Sequence, residues 1–382
     1  MRLVDRHLLR ELLVPFAYCL AGFQIFWMAV DLFAQLENYR RLKLSVADVL
    51  GLYLWKSPEL MGVILPVALL MAALYTVGEL TRHNEWSALR GVGFSQWRLS
   101  APMLAVGGLC SVALFLCTEI VQPLGQERVE RILEGRRSKT ESRWRNNIHF
   151  RDETRNQWWR IGAFNEQTGE LQRVDIEYWA DAMKHWVVAE SATWDGAAWE
   201  FQKVKRHIYR PPELDLPEIE TTNRMRLAEL DCSPRQIRTE IKINTLPKTR
   251  AVFNPHLSLR DIRDYRQRHK TIDSNRAALL TLYQHVQLAQ PLQCLVVILV
   301  ALPFASAPGR RNVMAGVAAS IGIGFAYFIL QRWAMIAGAG FIVPEAIALQ
   351  LPWLPEFIPA IAAWAPNILF GGGGIILMRR MG

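Results

Sequence analysis

The segment between Glu79 and Ser95 holds the residue types in this chain best suited to binding a partner. An acid, an aromatic ring and two arginines stand close together there, at Arg82, Glu85, Trp86 and Arg90. Spacing by itself leaves two interpretations open. The segment is either a polar loop whose tryptophan sits at a membrane interface, or a short coupling helix that docks into a groove of a partner protein.

This segment is predicted to form a short helix near residues 81–93. Glu85 and Leu89 are four positions apart and therefore share one helix face. Capping and helix-ending residues bound the stretch, with Thr81 or Asn84 before it and Gly91 and Gly93 after it. The helix would join the second and third apolar spans of the chain.

The sequence contains no motif of an intrinsic enzyme. The phosphate-cradling pattern G-x-x-x-x-G-K-[ST], the zinc-binding pattern H-E-x-x-H and the nucleophile pattern G-x-S-x-G are all missing. The cysteines show neither zinc-type spacing nor a catalytic Cys/His arrangement. We therefore expect no catalysis, no metal and no cofactor in this chain.

Charge and hydrophobicity are distributed unevenly along the 382 residues. The chain carries 44 Lys and Arg against 35 Asp and Glu, a formal charge of +9, while 51 % of its residues are hydrophobic. The apolar residues gather at the two ends and the charges fill the middle, which excludes a disordered chain and a single uniform globular domain. Because the apolar segments disfavour a nucleic-acid partner, the positive charge indicates a membrane surface or an anionic ligand.

Six apolar segments are long enough to cross a bilayer, whose hydrocarbon core is about 30 Å thick. They lie at roughly 12–36, 57–80, 98–121, 284–305, 313–338 and 358–378. The first is too long for a cleaved signal peptide and is predicted to be a retained helix. Most Lys and Arg residues of the short loops fall on the side of the termini, which predicts both termini in the cytoplasm and the long central segment in the periplasm.

The central segment, 122–283, is predicted to contain an all-β domain at about 142–250. Its short runs of alternating aromatic and β-branched residues, separated by turns, are typical of antiparallel strands in a sandwich or jellyroll. Seven of the 14 tryptophans fall between residues 144 and 199, and we expect most of them in the core of this domain. Transmembrane helices 1–3 then occupy residues 1–121, and helices 4–6 occupy residues 284–382.

Several short motifs, taken in order, resemble one family of membrane proteins. They are Pro58-Glu59, Leu65-Pro66, the stretch from Asn84 to Gly93, Leu302-Pro303-Phe304 with Gly309-Arg310-Arg311, and Ala363-Trp364-Ala365-Pro366-Asn367. In this combination they are similar to the YjgP/YjgQ permease family, the paired LptF and LptG subunits of the lipopolysaccharide export ABC transporter. The resemblance covers essentially the whole chain, and its start and its Trp-x-Pro-Asn motif are more similar to LptG.

The resemblance implies a membrane α-helical fold of six transmembrane helices with an inserted periplasmic all-β jellyroll. It implies an inner-membrane permease that extracts lipopolysaccharide and passes it to a periplasmic jellyroll bridge toward the outer membrane. The implied partners are a cytoplasmic ABC ATPase dimer, which holds the ATP and Mg, a paralogous LptF-like six-span permease and an accessory single-span LptC-like jellyroll subunit. Nucleic acid is not among them.

The resemblance also implies roles for individual residues. Glu85 corresponds to the acid that the family presents to its ATPase, and Asn84, Trp86, Leu89 and Arg90 accompany it. Family members place basic residues at the outer mouth of their cavity, where lipid phosphates arrive. The candidates here are Arg40, Arg41, Lys43, Lys56, Arg128, Arg131 and Arg332. Basic side chains at a membrane interface also snorkel to water without any ligand, so both interpretations stay open for these residues.

Two other functions also fit the sequence. The same kind of permease could move a different anionic envelope lipid, because acyl-chain pockets have little chemical specificity. A membrane-anchored sensor could use the periplasmic domain to bind an anionic ligand. The sensor is the weaker alternative, because the cytoplasmic parts of the chain are only short loops and offer no signalling domain.

Overall fold

The chain folds into two compact units. The computed structural model describes residues 3–134, 144–165, 168–180, 183–210, 213–227, 229–245, 258–269, 272, 274–305, 313–340, 350–351 and 353–381. One unit consists of Met1–Arg136 with Ser274–Gly382, and the other of Arg137–Asp273. The first unit is helical, and the second contains all of the described strands.

Ten α-helices are found in the described part of the chain. They are α1 Leu3–Arg41, α2 Val46–Arg82, α3 Glu85–Gly91, α4 Gln96–Leu116, α5 Gln122–Glu134, α6 Pro234–Thr245, α7 Leu259–Arg268, α8 Ser274–Ala305, α9 Val313–Gly340 and α10 Leu354–Met381. A π-helical turn, Cys117–Val121, joins α4 to α5. Helices α6 and α7 belong to the second unit.

Six of these helical segments are long and apolar enough to cross a membrane. Their bounds are Leu3–Arg41, Val46–Arg82, Gln96–Gln126, Arg276–Pro303, Ile321–Gly340 and Glu356–Arg380. The six predicted spans are therefore confirmed. Helix α1 has 39 residues and is about 58 Å long at 1.5 Å per residue, so it extends well beyond a hydrocarbon core of about 30 Å.

Local sequence explains how the second span starts and continues. Ser45 and Asp48 form a capping box, in which the Ser45 hydroxyl accepts from the Asp48 N–H and the Asp48 carboxylate accepts from the Ser45 N–H. Pro58 and Pro66 lie inside α2 without ending it. Helices in a membrane tolerate proline, since neighbouring helices and side chains satisfy the backbone groups that it frees.

Helix α8 lies at the centre of the helical unit. It packs against α2, α4, α9 and α10, and a continuous apolar core unites these helices with the first turns of α1. By contrast, α1 buries little beyond Leu8, Leu12 and Tyr39. Its apolar residues Tyr18, Phe26 and Phe33 are more than half exposed, so most of α1 offers an apolar surface to lipid or to another protein.

The second unit contains a single antiparallel sheet among its described residues. Its strands are β1 Trp144–Asp152, β2 Gln157–Asn165, β3 Leu171–Ala180, β4 Met183–Trp194, β5 Trp199–Arg210 and β6 Glu213–Leu227, and each pairs with the next in the chain. The predicted fold class, a helical membrane protein with an inserted antiparallel β domain, is confirmed. The hairpin spacing indicated the strands, but it does not determine whether they share one sheet or divide between the two of a jellyroll.

One face of the sheet forms the core of the second unit. Trp159 and Trp199 are fully buried there, with ring centroids 6.4 Å apart, and residues of α6 such as Ile237 belong to the same cluster. The prediction that the tryptophans fill this core holds only in part. Trp158 and Trp179 project from the other face, because successive residues of a strand point to opposite sides.

A buried ionic cluster joins α6 to the end of α7. The Glu240 side chain is 2 % exposed, and its Oε1 lies 3.6 Å from His269 Nε2 and 3.8 Å from an Arg268 guanidinium nitrogen. The His269 ring stacks on Tyr265 with centroids 4.1 Å apart. Burial lowers the pKa of His269, so the folded unit favours the neutral imidazole although a carboxylate lies nearby.

Acidification is expected to loosen this helix pair. Because the folded pKa of His269 is lowered, its contribution to stability is present above the unfolded value of about 6.5 and is lost as the pH falls through the folded value. Hydrogen exchange in α6 and α7, corrected for intrinsic rates, should be faster at about pH 5.5 than at about pH 7.5. His269→Gln should reduce this difference, and His149→Gln, at an exposed position of β1, should preserve it. An equal pH response in both variants would contradict the assignment.

Candidate functional site

Helix α3 forms the connection between the second and third spans. Asn84 precedes it with a φ of 60°, a left-handed conformation that asparagine tolerates better than most residues. The Asn84 side chain makes no capping hydrogen bond, so its contribution is to turn the backbone. After the helix, Gly93 has a φ of 99°, where a side chain would be strained. Thr81, the other predicted cap, lies within α2.

Trp86 anchors α3 to the helical unit. Its side chain is 2 % exposed and belongs to an apolar cluster that includes Leu8 of α1, Leu80 of α2 and Leu99 of α4. Leu89, one turn further along α3, packs against the same cluster while remaining partly exposed. Burial of a tryptophan contributes a large apolar area, so α3 is held firmly by the transmembrane helices beneath it.

Glu85 points outward from this anchored helix. About half of its side chain is exposed, and Oε2 lies 3.2 Å from Nε2 of His7 in the first turns of α1. On the rest of α3, Ser87 and Ala88 are exposed and Arg90 is partly exposed. Glu85 is therefore a carboxylate on a firmly packed helix. Such a helix is suited to transmit a force from a protein that binds the carboxylate.

A second ion pair connects α1 to α4 near the same end of the helices. Asp5 Oδ1 and an Arg98 guanidinium nitrogen are 2.8 Å apart, and the Asp5 carboxylate is largely buried. Neither His7 nor Asp5 was among the predicted site residues. No local pattern could have indicated them, because their partners lie far along the chain and meet them only after the helices pack.

At the opposite ends of these helices, an apolar cluster brings several candidate phosphate-binding residues onto adjacent elements. Tyr39 of α1, Leu52 and Tyr53 of α2, and Val129 and Leu133 of α5 pack together there. The basic residues of this end are Arg40, Arg41, Lys43, Lys56 and Arg128. The side chain of Arg131 lies outside the described residues.

The basic residues of this end differ in what they contact. Arg41 pairs with Glu37 at 3.0 Å in an exposed contact one helical turn away. The guanidinium of Arg128 lies 5.6 Å from the centre of the Trp55 ring, within the range of a cation–π interaction. Arg40 and Lys43 are exposed. Arg40, Lys43 and Arg128 therefore offer their charges most openly to an anion.

Lys56 forms a salt bridge that joins α2 to α1. Its ammonium lies 2.7 Å from both carboxylate oxygens of Asp31, which also accepts a hydrogen bond of 2.9 Å from the Tyr53 hydroxyl. The side chains of Lys56 and Asp31 are only 21 % and 22 % exposed. A lipid phosphate would have to displace Asp31, so we place Lys56 in the joint between these helices rather than among the open cations.

Asp31→Asn is expected to weaken this joint. The change leaves the largely buried Lys56 ammonium without its carboxylate and should cost about 1–3 kcal/mol of stability, since hydrogen bonds to charged groups are the stronger ones. Thermal unfolding of the purified chain in detergent measures the loss. The double variant Asp31→Asn/Lys56→Met should recover part of the lost stability. A double variant less stable than the single one would contradict a stabilising role of the Asp31–Lys56 salt bridge.

Arg332 lies apart from the other basic candidates. It is half-buried on α9, and α9 runs antiparallel to α2, because Gly324 approaches Leu70 while Ile321 lies beside Leu74 and Gly78. Arg332 is about two turns beyond Gly324, in the half of the helical unit that carries Arg40. It is therefore the most deeply placed cation of that half among the candidates with described side chains.

A large cavity opens between α1, α2 and α9, on the side of the unit where α3 lies. Its volume is about 1300 Å³; its walls include Val14, Met71, Leu74 and Ile321, and its charged lining residues are Arg10, Glu11, Glu79 and Arg82. Arg10 and Arg40 are separated by about 45 Å along α1. The structure thus does not bring the candidate phosphate-binding residues together with this cavity.

A buried polar contact joins the last three long helices. Asn367 of α10 accepts a hydrogen bond of 2.6 Å from the Tyr327 hydroxyl of α9, and its amide nitrogen donates to the Ala289 carbonyl of α8 at 2.8 Å. Hydrogen bonds of this kind connect helices where no water competes for the polar groups. Asn367 is the last residue of the Ala363-Trp364-Ala365-Pro366-Asn367 motif, and its side chain thus connects α8, α9 and α10.

The chain matches a family model over residues 6–380, which is nearly its whole length; the family is described as lipopolysaccharide export system permease LptF/LptG. The chain belongs to the LptF/LptG family. The family inferred from the motifs is therefore confirmed, and the match covers both members of the pair. None of the curated proteins compared with the chain matches it.

Membership in the LptF/LptG family decides the general role. This is a permease of the lipopolysaccharide export system and not an enzyme, and its six apolar helices make it a multi-pass protein of the inner membrane.

Proposed function

We propose that this chain is the LptG-like half of an ABC transporter that extracts lipopolysaccharide from the inner membrane and passes it to a periplasmic jellyroll bridge. The observation that carries the proposal is the geometry of α3. Trp86 is buried under it while Glu85 projects from it. A helix fixed in this way can transmit movement from an ATPase to the membrane helices, whereas a loose interfacial loop cannot.

The proposal places α3 and both termini in the cytoplasm and the β unit in the periplasm. The distribution of Lys and Arg supports this orientation, and the contact of His7 with Glu85 puts the start of α1 beside α3. ATP and Mg are then held by a separate ATPase dimer that receives Glu85 in a basic groove. A carboxylate at such a buried junction requires a paired cation, because an unpaired charge there is costly.

The outer surface of α1 is the proposed contact with a paralogous six-span permease of the LptF type. Its exposed apolar residues, Tyr18, Phe26 and Phe33 among them, have no cover within this chain's described residues. The first helix of one permease and the fifth of the other would form a lateral gate for lipid. A single-span LptC-like subunit is an accessory partner in this proposal.

The basic end of α1, α2 and α5 is the proposed contact with the lipid phosphates. Arg40, Lys43 and Arg128 offer open charges there, and Arg332 stands deeper in the same half of the unit. Arginine suits this role, because its planar guanidinium binds phosphate through two parallel hydrogen bonds. ATP hydrolysis in the separate ATPase, transmitted through α3, would drive the lipid out of the permease and into the periplasmic jellyroll.

Co-purification tests this function directly. The chain is expressed with its genomic neighbours, extracted into nanodiscs, and examined by mass spectrometry for bound proteins and lipids. We expect an ATPase dimer, a second six-span permease and a lipid A-bearing species in fixed proportions. If the same assembly contains a different anionic lipid, the transporter is supported and only the identity of the transported lipid changes. A solitary chain without an ATPase would refute the transporter and favour the membrane-anchored sensor.

A further inference from the structure

The outward face of the sheet carries a row of aromatic and charged side chains. Across neighbouring strands, Arg151 pairs with Trp158, Trp158 with Glu177, Glu177 with Trp186, and Trp186 with His207. Residues paired in this way share one face of the sheet. The core of the unit lies on the other face, so this row is directed away from it.

A small cleft lies within this row. Its volume is about 300 Å³, and it is lined by Arg151, Asn156, Trp158, Glu177, Trp179 and Lys184. The two tryptophans remain 48 % and 46 % exposed. Two half-exposed indoles beside one small polar cleft leave a large apolar area in contact with water, which a ligand could cover.

The polar groups of the cleft are held in place by one another. Arg151 lies over the Trp158 ring at 5.0 Å and donates a hydrogen bond of 3.2 Å to the Asn156 side chain. Glu177 pairs with Lys184 at 2.9 Å and with Arg160 at 2.6 Å. These groups are therefore positioned before any ligand arrives, which reduces the entropy that binding would cost.

The charges of the cleft leave one cation in excess. Lys184 and Arg160 share the carboxylates of Glu177 and Asp175, and the pairing with Lys184 lowers the pKa of Glu177, so that carboxylate stays ionised. Arg151 forms no ion pair with any residue that the structure describes, and its contacts are an amide and an indole. The cleft thus favours a ligand with a negative group.

We propose that this cleft binds a saccharide that carries a phosphate or carboxylate group. The flat C–H faces of a sugar ring stack on indoles, its hydroxyl groups can bond to the amide and carboxylate of the cleft, and its anionic group matches Arg151. A protein partner would favour a broader apolar surface than a cleft of about 300 Å³. The inference does not depend on the proposed transport function, because the β unit of a sensor would offer the same cleft.

The test measures binding to the full-length chain in phospholipid nanodiscs by saturation-transfer NMR. The probes are a deacylated lipopolysaccharide oligosaccharide that retains its phosphates, the same oligosaccharide after dephosphorylation, and inorganic phosphate. The phosphorylated oligosaccharide should bind about tenfold more tightly than the dephosphorylated one. Inorganic phosphate at the same concentration should not displace it, because stacking contributes most of the affinity.

Variants assign the binding to this cleft. Trp158→Thr and Trp179→Thr keep a residue suited to a strand and should each weaken binding about tenfold. Arg151→Gln should weaken binding of the phosphorylated probe alone. The matched control is Ile219→Thr, at an exposed position of β6 outside the cleft, and it should bind normally.

Three results would overturn the proposal: no binding of either oligosaccharide, equal binding of both, or unchanged binding in both tryptophan variants. None of these readouts requires an ATPase or transport, so failure here is distinct from failure of the transport function. Intact lipopolysaccharide added to the nanodiscs then identifies the source of the sugar. If intact lipopolysaccharide abolishes binding of the oligosaccharide, the cleft binds lipid-linked sugar. If the oligosaccharide still binds, the cleft binds free saccharide. Either result supports a saccharide site.

Discussion

Glu85→Ala is expected to abolish lipid export while leaving the permease folded in the membrane. The Glu85 side chain is about half exposed, and its described polar contact is with His7. Surface substitutions of this kind change stability by about 0.5 kcal/mol or less. At the proposed junction with the ATPase the same carboxylate pairs with a buried cation. Removing one member of such a pair costs about 2–5 kcal/mol of binding, which corresponds to binding to the ATPase that is weaker by at least about 25-fold.

For this measurement the transporter is reconstituted in nanodiscs, and both ATP hydrolysis and the release of lipopolysaccharide are followed. Ser87→Ala, at an exposed position of the same helix, should behave as the unchanged protein. His7→Gln separates the two contacts of Glu85, because it removes the partner within the chain and keeps the carboxylate for the ATPase. Normal export by Glu85→Ala at an ordinary expression level would rule out the coupling role.

Gly374→Leu is expected to destabilise the helical unit strongly. A Cβ at this position would lie 2.8 Å from the carbonyl oxygen of Leu299 and 3.0 Å from its carbonyl carbon. Both atoms belong to the backbone of α8, which cannot move aside as the end of a side chain can. Overpacking a close contact costs about 1–3 kcal/mol, and a clash with backbone should fall at or above the upper end of that range.

Gly373→Leu provides the matched control in the same run of glycines. A Cβ at Gly373 would have no packing neighbour within 4 Å, so a side chain can start there without meeting a neighbouring backbone. Thermal unfolding in detergent should show a loss of about 5–10 °C for Gly374→Leu and little change for Gly373→Leu. Equal losses in the two variants would contradict close packing as the cause, since helix propensity favours leucine over glycine at both positions.

The same run of glycines shows where sequence reasoning stops. Four consecutive glycines suit either close helix packing or a locally flexible segment, and composition does not separate these. In the structure, a Cβ at Gly374 would meet the backbone of α8 and one at Gly371 would approach Val296, while a Cβ at Gly372 or Gly373 would have no packing neighbour within 4 Å. The distinction depends on the rotation of α10 about its axis, which packing against α8 and α9 decides.

The candidate site also combines features that local sequence indicates with features that only the fold decides. The presence of α3 was readable from local signals, namely an acid, an aromatic residue and terminal glycines, but its start was not, since Thr81 lies within α2. The basic residues were all recognised as candidates, yet sequence treated Lys56 and Arg40 alike. Only the fold places Asp31 within 2.7 Å of Lys56 and leaves Arg40 exposed. Such pairings join residues on different helices, so no short window of sequence contains them.

The sequence by itself determined the six spans, the inserted β domain and the family. Hydropathy over about 20 residues and the alternation along a strand are local consequences of burying a helix in lipid or one face of a sheet in a core. Tertiary structure decided which charges are paired, which glycines touch a neighbouring backbone, and that Trp159 is buried while Trp158 stands at a surface cleft. These outcomes depend on the distances and rotations between elements, which arise only when distant parts of the chain pack together.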